Sequence, residues 1–205
     1  SDPSVATEFV GFNVENHKNF QTSCTDCITQ GGVTYLVFEK SPFYAEMGGQ
    51  IGDSGSLFIN NETLAISNVI KDSSGRFLHA LESKPVNPNF VGQDSILNLD
   101  QNRRQAIQRH HTATHVLHWA LREVLGDHIR QAGSLVQPDR LRFDFSHFEA
   151  IKQEQLKEIE RISNEKLLLN DPLEAYEIPF SEKPDEVIAF FGDKYGEVVR
   201  VVNLG

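Results

Sequence analysis

Between residues 33 and 81 the apolar positions fall into short runs separated by turn signals. Val33–Phe38 is rich in β-branched and aromatic residues, and Ser56–Ile59 and Leu64–Ile70 flank Asn60-Asn61, a pair that favours a tight hairpin turn. Arg76–Leu81 follows Ser73-Ser74-Gly75. Short strands at this spacing predict a small barrel or sandwich. From Lys84 to Asp94 the chain carries Pro85, Pro88, Gly92 and two further Asn, a composition that suits a connection between subdomains.

The second half changes period. Asn102–Leu125 predicts a long helix stopped by Gly126, with Ala106, His110, Ala113, Leu117, Ala120 and Val124 recurring on the face expected to meet a core. Gly133–Val136, Pro138-Asp139 and Leu141–Phe145 predict a hairpin, in which Leu141, Phe143 and Phe145 share one face. Ser146 and Glu149 have the spacing of a capping box, which opens a second helix. Phe148, Ile151, Gln155, Ile159, Ile162 and Lys166 fall on one side of it, and Asn170-Asp171-Pro172 ends it. Strands are expected near Leu173–Ile178 and Glu197–Asn203. Hairpins and helices in one unit indicate an α+β layer.

Composition narrows the class. With 205 residues, 39% apolar and 23% charged, the chain can bury a core and is not a disordered tract. No apolar run approaches the ~20 residues of a membrane span, and the polar opening Ser1–Ser4 has no signal-peptide core, so a cytoplasmic location and no membrane partner are expected. The formal charge of −10 argues against indiscriminate nucleic-acid binding, but it is uneven: −7 over residues 1–100, +3 over 101–145 and −6 over 146–205. All seven cations of the middle segment are Arg, the residue suited to forked phosphate contacts; the alternative is a solvated helix face.

Three groups of residues carry candidate chemistry. Five of the eight histidines lie between His110 and His128, and His111 and His115 are four apart, so a helix stacks them on one face where they can hold one metal ion. Thr112 stands where a His-Glu-x-x-His protease has its Glu, so that mechanism lacks its base. Two ligands do not complete a zinc site, and an incidental pair is the competing explanation. Cys24-Thr25-Asp26-Cys27 would complete a Cys₂His₂ set by count, yet it lies far away in sequence, in the predicted β region, with no second pair beside it; the alternative is two unrelated thiols in a loop. Ser41–Gly55 holds four glycines in eight residues, without the Lys or the spacing of a P-loop, and favours a structural turn over a nucleotide cradle.

Taken in order, five segments resemble the editing region of bacterial alanyl-tRNA synthetases: Ser41–Gly55 (SPFYAEMGGQIGDSG), Arg104–His118 (RQAIQRHHTATHVLH), Gln131–His147 (QAGSLVQPDRLRFDFSH), Glu158–Lys166 (EIERISNEK) and Phe191–Val202 (FGDKYGEVVRVV). The first thirty residues, with the two cysteines, match least, and Met47 stands where the family usually has Ser. The resemblance implies an α+β fold: a β-barrel subdomain, expected over residues 1–92, then an α/β editing core over 93–205. That core is shared with threonyl-tRNA synthetase and free-standing alanyl-tRNA editing proteins.

The implied activity is hydrolysis of Ser-tRNA(Ala) and Gly-tRNA(Ala). An amino-acid pocket excludes a missing or added small group by only ~1–3 kcal/mol, so a second site must remove the errors. His111 and His115 match two zinc ligands. The other two, a Cys and a His, are expected just beyond the last strand, so the chain ending at Gly205 is expected to carry half the metal site. Gln131 matches a residue lining the amino-acid pocket; Gly48, Gly49 and Gln50 match the glycine motif beside it; Ser134 and Arg142 are candidate contacts to substrate or the tRNA end. The implied partners are the acceptor end of tRNA(Ala) and the rest of a synthetase chain, whose other domain uses ATP and Mg to activate alanine. A free-standing trans-editing hydrolase and a non-catalytic tRNA-binding module are the competing functions.

Overall fold

The computed structural model describes residues 5–12, 18–85, 89–182 and 197–204; the polar opening at 1–4, Pro88, and the stretch 191–196 of the last resembling segment lie outside them. The chain divides into two compact units, Ser1–Arg109 with Val136–Arg140, and His110–Leu135 with Leu141–Gly205.

The first unit is a closed antiparallel barrel. Its strands are β2 (Phe20–Gln30), β3 (Val33–Phe38), β5 (Gly55–Ile59), β6 (Glu62–Lys71), β7 (Phe77–Leu81) and β8 (Asp94–Leu99), paired in the order β2-β3-β7-β6-β5-β8 and closed by β8 on β2. Two short strands, β1 (Glu8–Phe9) and β4 (Lys40–Ser41), pair in parallel beside it. Alternation sets the faces: Leu57 and Ile59 are buried while Phe58 between them is exposed, and Leu64 and Ile66 repeat the pattern across the hairpin. Asn60 and Asn61 both take positive φ (52° and 61°), the conformation a two-residue hairpin turn needs. Closure leaves the barrel no unpaired edge.

Two features differ from the sequence expectation. The cysteines lie on β2, an eleven-residue strand that mixed polar residues conceal. Residues three apart on a regular strand face opposite ways, but a register shift between Cys24 and Asp26 lets Cys24 and Cys27 both pack on the barrel core. Second, the Pro- and Gly-bearing stretch after β7 leads back into the barrel, because β8 beyond it supplies Leu97 and Leu99 to the same core. The barrel thus extends past residue 92.

The second unit collects most of helix α1 (Gln101–Leu125), the hairpin of β9 (Gln131–Val136) and β10 (Leu141–Phe145), helix α2 (Gln153–Leu168), and an antiparallel pair, β11 (Leu173–Pro179) and β12 (Val198–Leu204). Its core joins Ala120, Leu121 and Ile129 to Ile159, with Leu117, Phe143, Phe145 and Ile162 packed against them. Barrel, helices and antiparallel sheets make the α+β fold. Among the described residues no helix is long and apolar enough to cross a membrane.

Three local expectations are corrected. Of the α1 positions expected to face a core, Ala120 is fully buried and the others partly; Ile107, Thr114, Val116 and His118 are buried instead, because this helix is covered on more than one side. The α2 cap is not Ser146 with Glu149: the helix starts later, and Lys152 N–H donates to Gln155 Oε1 at 2.9 Å. Phe148 therefore precedes the helix and is 79% exposed.

One barrel residue ties stability to pH. His79 is fully buried, and its Nδ1–H is shared between the carbonyls of Leu36 and Phe77, both at 3.1 Å. That leaves Nε2 to accept from the Ser41 hydroxyl at 2.8 Å, while Ser41 Oγ accepts from Phe43 N–H at 3.1 Å. Burial pushes the His79 pKa from 6.5 down to about 4. The unfolded chain then binds the proton first as pH falls, so stability is full above 6.5 and is lost between 6.5 and about 4. Urea unfolding should show this site costing about 2 kcal/mol on going from about pH 7.5 to about pH 5, and a His79→Gln variant should lack that part of the slope. An unchanged slope would contradict a neutral buried imidazole.

Candidate functional site

The candidate residues fall on both units. In the first, the segment 41–55 leaves β4 and returns as β5, and its path is held at several points. Asp53 and Tyr44 face each other: Asp53 N–H donates to Tyr44 O at 3.0 Å, and Tyr44 N–H donates to Asp53 Oδ2 at 2.7 Å. Arg104, in the first turn of α1, donates through Nε to both Asp53 carboxylate oxygens at 3.0 and 2.9 Å, through Nη2 to Asp53 Oδ2, and through Nη2 to Pro42 O at 2.9 Å. Its neighbour Arg103 donates through Nη1 to Gly52 O at 2.8 Å. Arg104 is 3% exposed and Asp53 1%, so this is a buried ion pair whose hydrogen bonds satisfy both partners. Asp100 caps the same turn, accepting from Arg103 N–H at 3.0 Å.

The glycines divide by role. A Cβ at Gly52 would lie 2.2 Å from Val69 O, and one at Gly55 would lie 2.1 Å from Asn98 O, so these two allow close backbone approach. Gly48 and Gly49 have φ of +59° and +78° and form the turn between Met47 and Gln50. Beyond that turn the loop meets the hairpin tip: Ile51 N–H donates to Val136 O at 3.2 Å, and Val136 N–H donates to Gly49 O at 2.8 Å. Gly48, Gly49 and Gln50 therefore sit on a braced turn.

In the second unit, His111 and His115 lie one helical turn apart on α1 with ring centroids 5.0 Å apart. Burial lowers the pKa of both; for His115 it falls to about 4, with smaller contributions from the charges of His111 and His118. Both are thus neutral imidazoles at pH 7, the form that binds a metal. His118 continues the row. It packs on Phe143 at 5.0 Å and hydrogen-bonds the Ile129 backbone, and burial, with Arg122 and Arg130 nearby, lowers its pKa too. On β9, Gln131 Nε2 donates to Ser134 Oγ at 3.1 Å, while Gln131 Oε1 is buried with no hydrogen-bond partner among the described residues. Arg142 on β10 is exposed and pairs with Asp144 at 3.1 Å.

As a metal site the described residues supply two donors. No group of three or more His, Cys, Asp or Glu among them could hold an ion. The cysteines do not offer themselves: both are packed on the barrel core, and burial pushes Cys24 up to about 12 and raises Cys27, so they remain protonated. His111 and His115 are thus two imidazole donors on one helix face.

Two groups carried no sequence signal. Ser41 and His79 are within hydrogen-bond distance but wholly buried in the barrel, where no substrate reaches them. Asp53 and Arg104 are 51 residues apart, and only the fold joins them.

Comparison with known proteins follows the same segments. Residues 5–103 match the family model of class II (A) tRNA synthetases. The chain is 46% identical over 203 residues to the alanine–tRNA ligase of Opitutus terrae, covering 97% of this chain and 21% of that protein. It is 46% identical over 176 residues to that of Methylacidiphilum infernorum, covering 82% and 18%. It is 38% identical over 207 residues to that of Dehalococcoides mccartyi strain CBDB1, covering 97% and 24%. The chain thus spans about a fifth of the length of these relatives, at 21%, 18% and 24%.

The two kinds of glycine separate in a stability measurement. Gly55→Ala forces a Cβ against the β8 backbone and should cost about 3 kcal/mol in urea unfolding, whereas Gly48→Ala pays only for its left-handed backbone, about 1 kcal/mol. Equal costs would contradict the division.

Proposed function

We propose, since this chain belongs to the alanine–tRNA ligase family, that it is the unit of such an enzyme that hydrolyses the ester of Ser-tRNA(Ala) and Gly-tRNA(Ala). The observation that carries the reading is the His111/His115 pair, two neutral imidazoles held on one helix face. Their ring nitrogens would supply two ligands to a zinc ion, which when bound contributes Lewis acidity toward an ester carbonyl or water.

The chain's own residues account for binding and orientation. Gln131 Oε1, which has no hydrogen-bond partner among the described residues, supports a role as acceptor for a serine hydroxyl or an α-ammonium. Its amide is held in one orientation by the bond from Nε2 to Ser134 Oγ. Arg142, on an exposed strand position, is the proposed contact for the tRNA phosphates. The partner in this reading is tRNA(Ala). The need for such a site is physical: alanine, glycine and serine differ by too little for one pocket to separate.

The test is deacylation of Ser-tRNA(Ala) by an alanine–tRNA ligase carrying this segment. His111→Ala should lower the hydrolysis rate by roughly a hundredfold or more and reduce bound zinc, with alanine charging unchanged. Full-rate hydrolysis by the variant would remove the histidines from the mechanism. Binding of tRNA without any hydrolysis by the unmodified enzyme would replace the reading with a tRNA-binding module.

A further inference from the structure

We infer that Phe148, stacked on His128 and His147, is a platform for an unpaired nucleobase of tRNA. That role rests on the proposed hydrolysis, which brings the unpaired 3′ strand bearing the ester to this unit. All three rings belong to the second unit.

A single exposed phenylalanine needs no partner, because apolar atoms cover much of any folded surface. Phe148 differs in what stands behind it. Its ring centroid lies 4.5 Å from that of His128 and 5.0 Å from that of His147, with interplanar angles of 32° and 35°. The two imidazoles are stacked on each other at 5.1 Å and 20°. A hydrogen bond of 2.8 Å joins His128 Nε2 to His147 Nδ1, from the loop after α1 to the end of β10. The backbones that carry these rings are tied as well, since Ser146 N–H donates to Arg130 O at 3.1 Å. Phe148 is nonetheless 79% exposed. Three rings are built into one cluster whose outer member stands in water, where its apolar area adds little to stability.

The chemistry of that surface suits a base. Proteins take unpaired bases by stacking them on aromatic rings, and every base has a π face to offer. Arg130, two residues from His128, is exposed, and its bonds run through Nη1 to the Asp127 and Ile129 carbonyls. Its Nε and Nη2 suit a phosphate oxygen of the same strand. The Asp127 carboxylate is taken up by Arg122 Nη2 at 2.8 Å, which weakens its repulsion of that strand. Glu149, exposed and next in the chain, disfavours a phosphate at Phe148 itself, which leaves the base as the group to meet the ring.

The test uses an alanine–tRNA ligase carrying this segment and tRNA(Ala) with 5-iodopyrimidines placed one at a time in the unpaired 3′ strand. Irradiation joins such a base to an aromatic ring stacked on it, and mass spectrometry should find the link at Phe148. Phe148→Ala and Phe148→Leu should each lose the link and lower kcat/KM for Ser-tRNA(Ala) hydrolysis roughly tenfold, the worth of one stacked base, while Phe148→Trp keeps both. Leucine retains apolar bulk without a π face, so it separates stacking from plain burial. Alanine charging and the urea midpoint should stay unchanged in all three variants. No link at Phe148, with wild-type hydrolysis in Phe148→Ala, would overturn the platform and leave the hydrolysis reading intact. Wild-type hydrolysis in Phe148→Leu would overturn it too. A lowered urea midpoint in Phe148→Ala, with no link, would assign the ring to a protein contact within the enzyme instead. A link at Phe148 in an unmodified enzyme that hydrolyses neither Ser- nor Gly-tRNA(Ala) would keep the platform and remove the hydrolysis.

Discussion

An ionised carboxylate and a guanidinium buried together have to satisfy each other, because water is not there to do it. Asp53 and Arg104 meet that constraint with a forked pairing and with bonds to the Pro42 carbonyl and the Tyr44 amide. The consequence spreads along the chain. The path of the glycine segment is set on both sides of its turn, and the first turn of α1 is committed to one position against that segment. Further along the same helix stand His111 and His115. The barrel supplies the rigid wall that makes this possible: Gly52 and Gly55 press against the backbone of β6 and β8, and any side chain there would push the loop away.

Much of this fold was legible where local chemistry and burial agree. Asn60-Asn61 between two alternating runs specified a hairpin, Gly126 marked the end of α1, and the alternation of Leu141, Phe143 and Phe145 marked a strand, of which Phe143 and Phe145 pack partly buried on the core. The strand β2 was hidden because its polar residues alternate poorly and its bulge shifts the inward positions by one. The strand β8 was hidden by the turn-rich stretch before it. The α2 start was misplaced because Ser146 and Glu149 imitate a cap that Lys152 and Gln155 provide.

The candidate site was legible in a different measure. The spacing of His111 and His115 follows from the helix, and their ring separation of 5.0 Å agrees with it. What spacing could not carry was the state of those rings, since neutrality comes from burial, a property of the assembled unit. Nor could it carry the Gln131 oxygen that has no partner among the described residues, which is visible only once its surroundings have been accounted for. The Asp53–Arg104 pair lay furthest from reach: a carboxylate among glycines and an arginine in a helix are ordinary by themselves, and only their union across 51 residues has meaning.

The role proposed for this unit is hydrolysis that separates wrong from right aminoacyl groups. The most direct measurement supplies an alanine–tRNA ligase carrying this segment with equal amounts of Ser-, Gly- and Ala-charged tRNA(Ala) and follows all three esters together. The seryl and glycyl esters should disappear while the alanyl ester persists. Loss of all three at one rate, or persistence of all three, would contradict it.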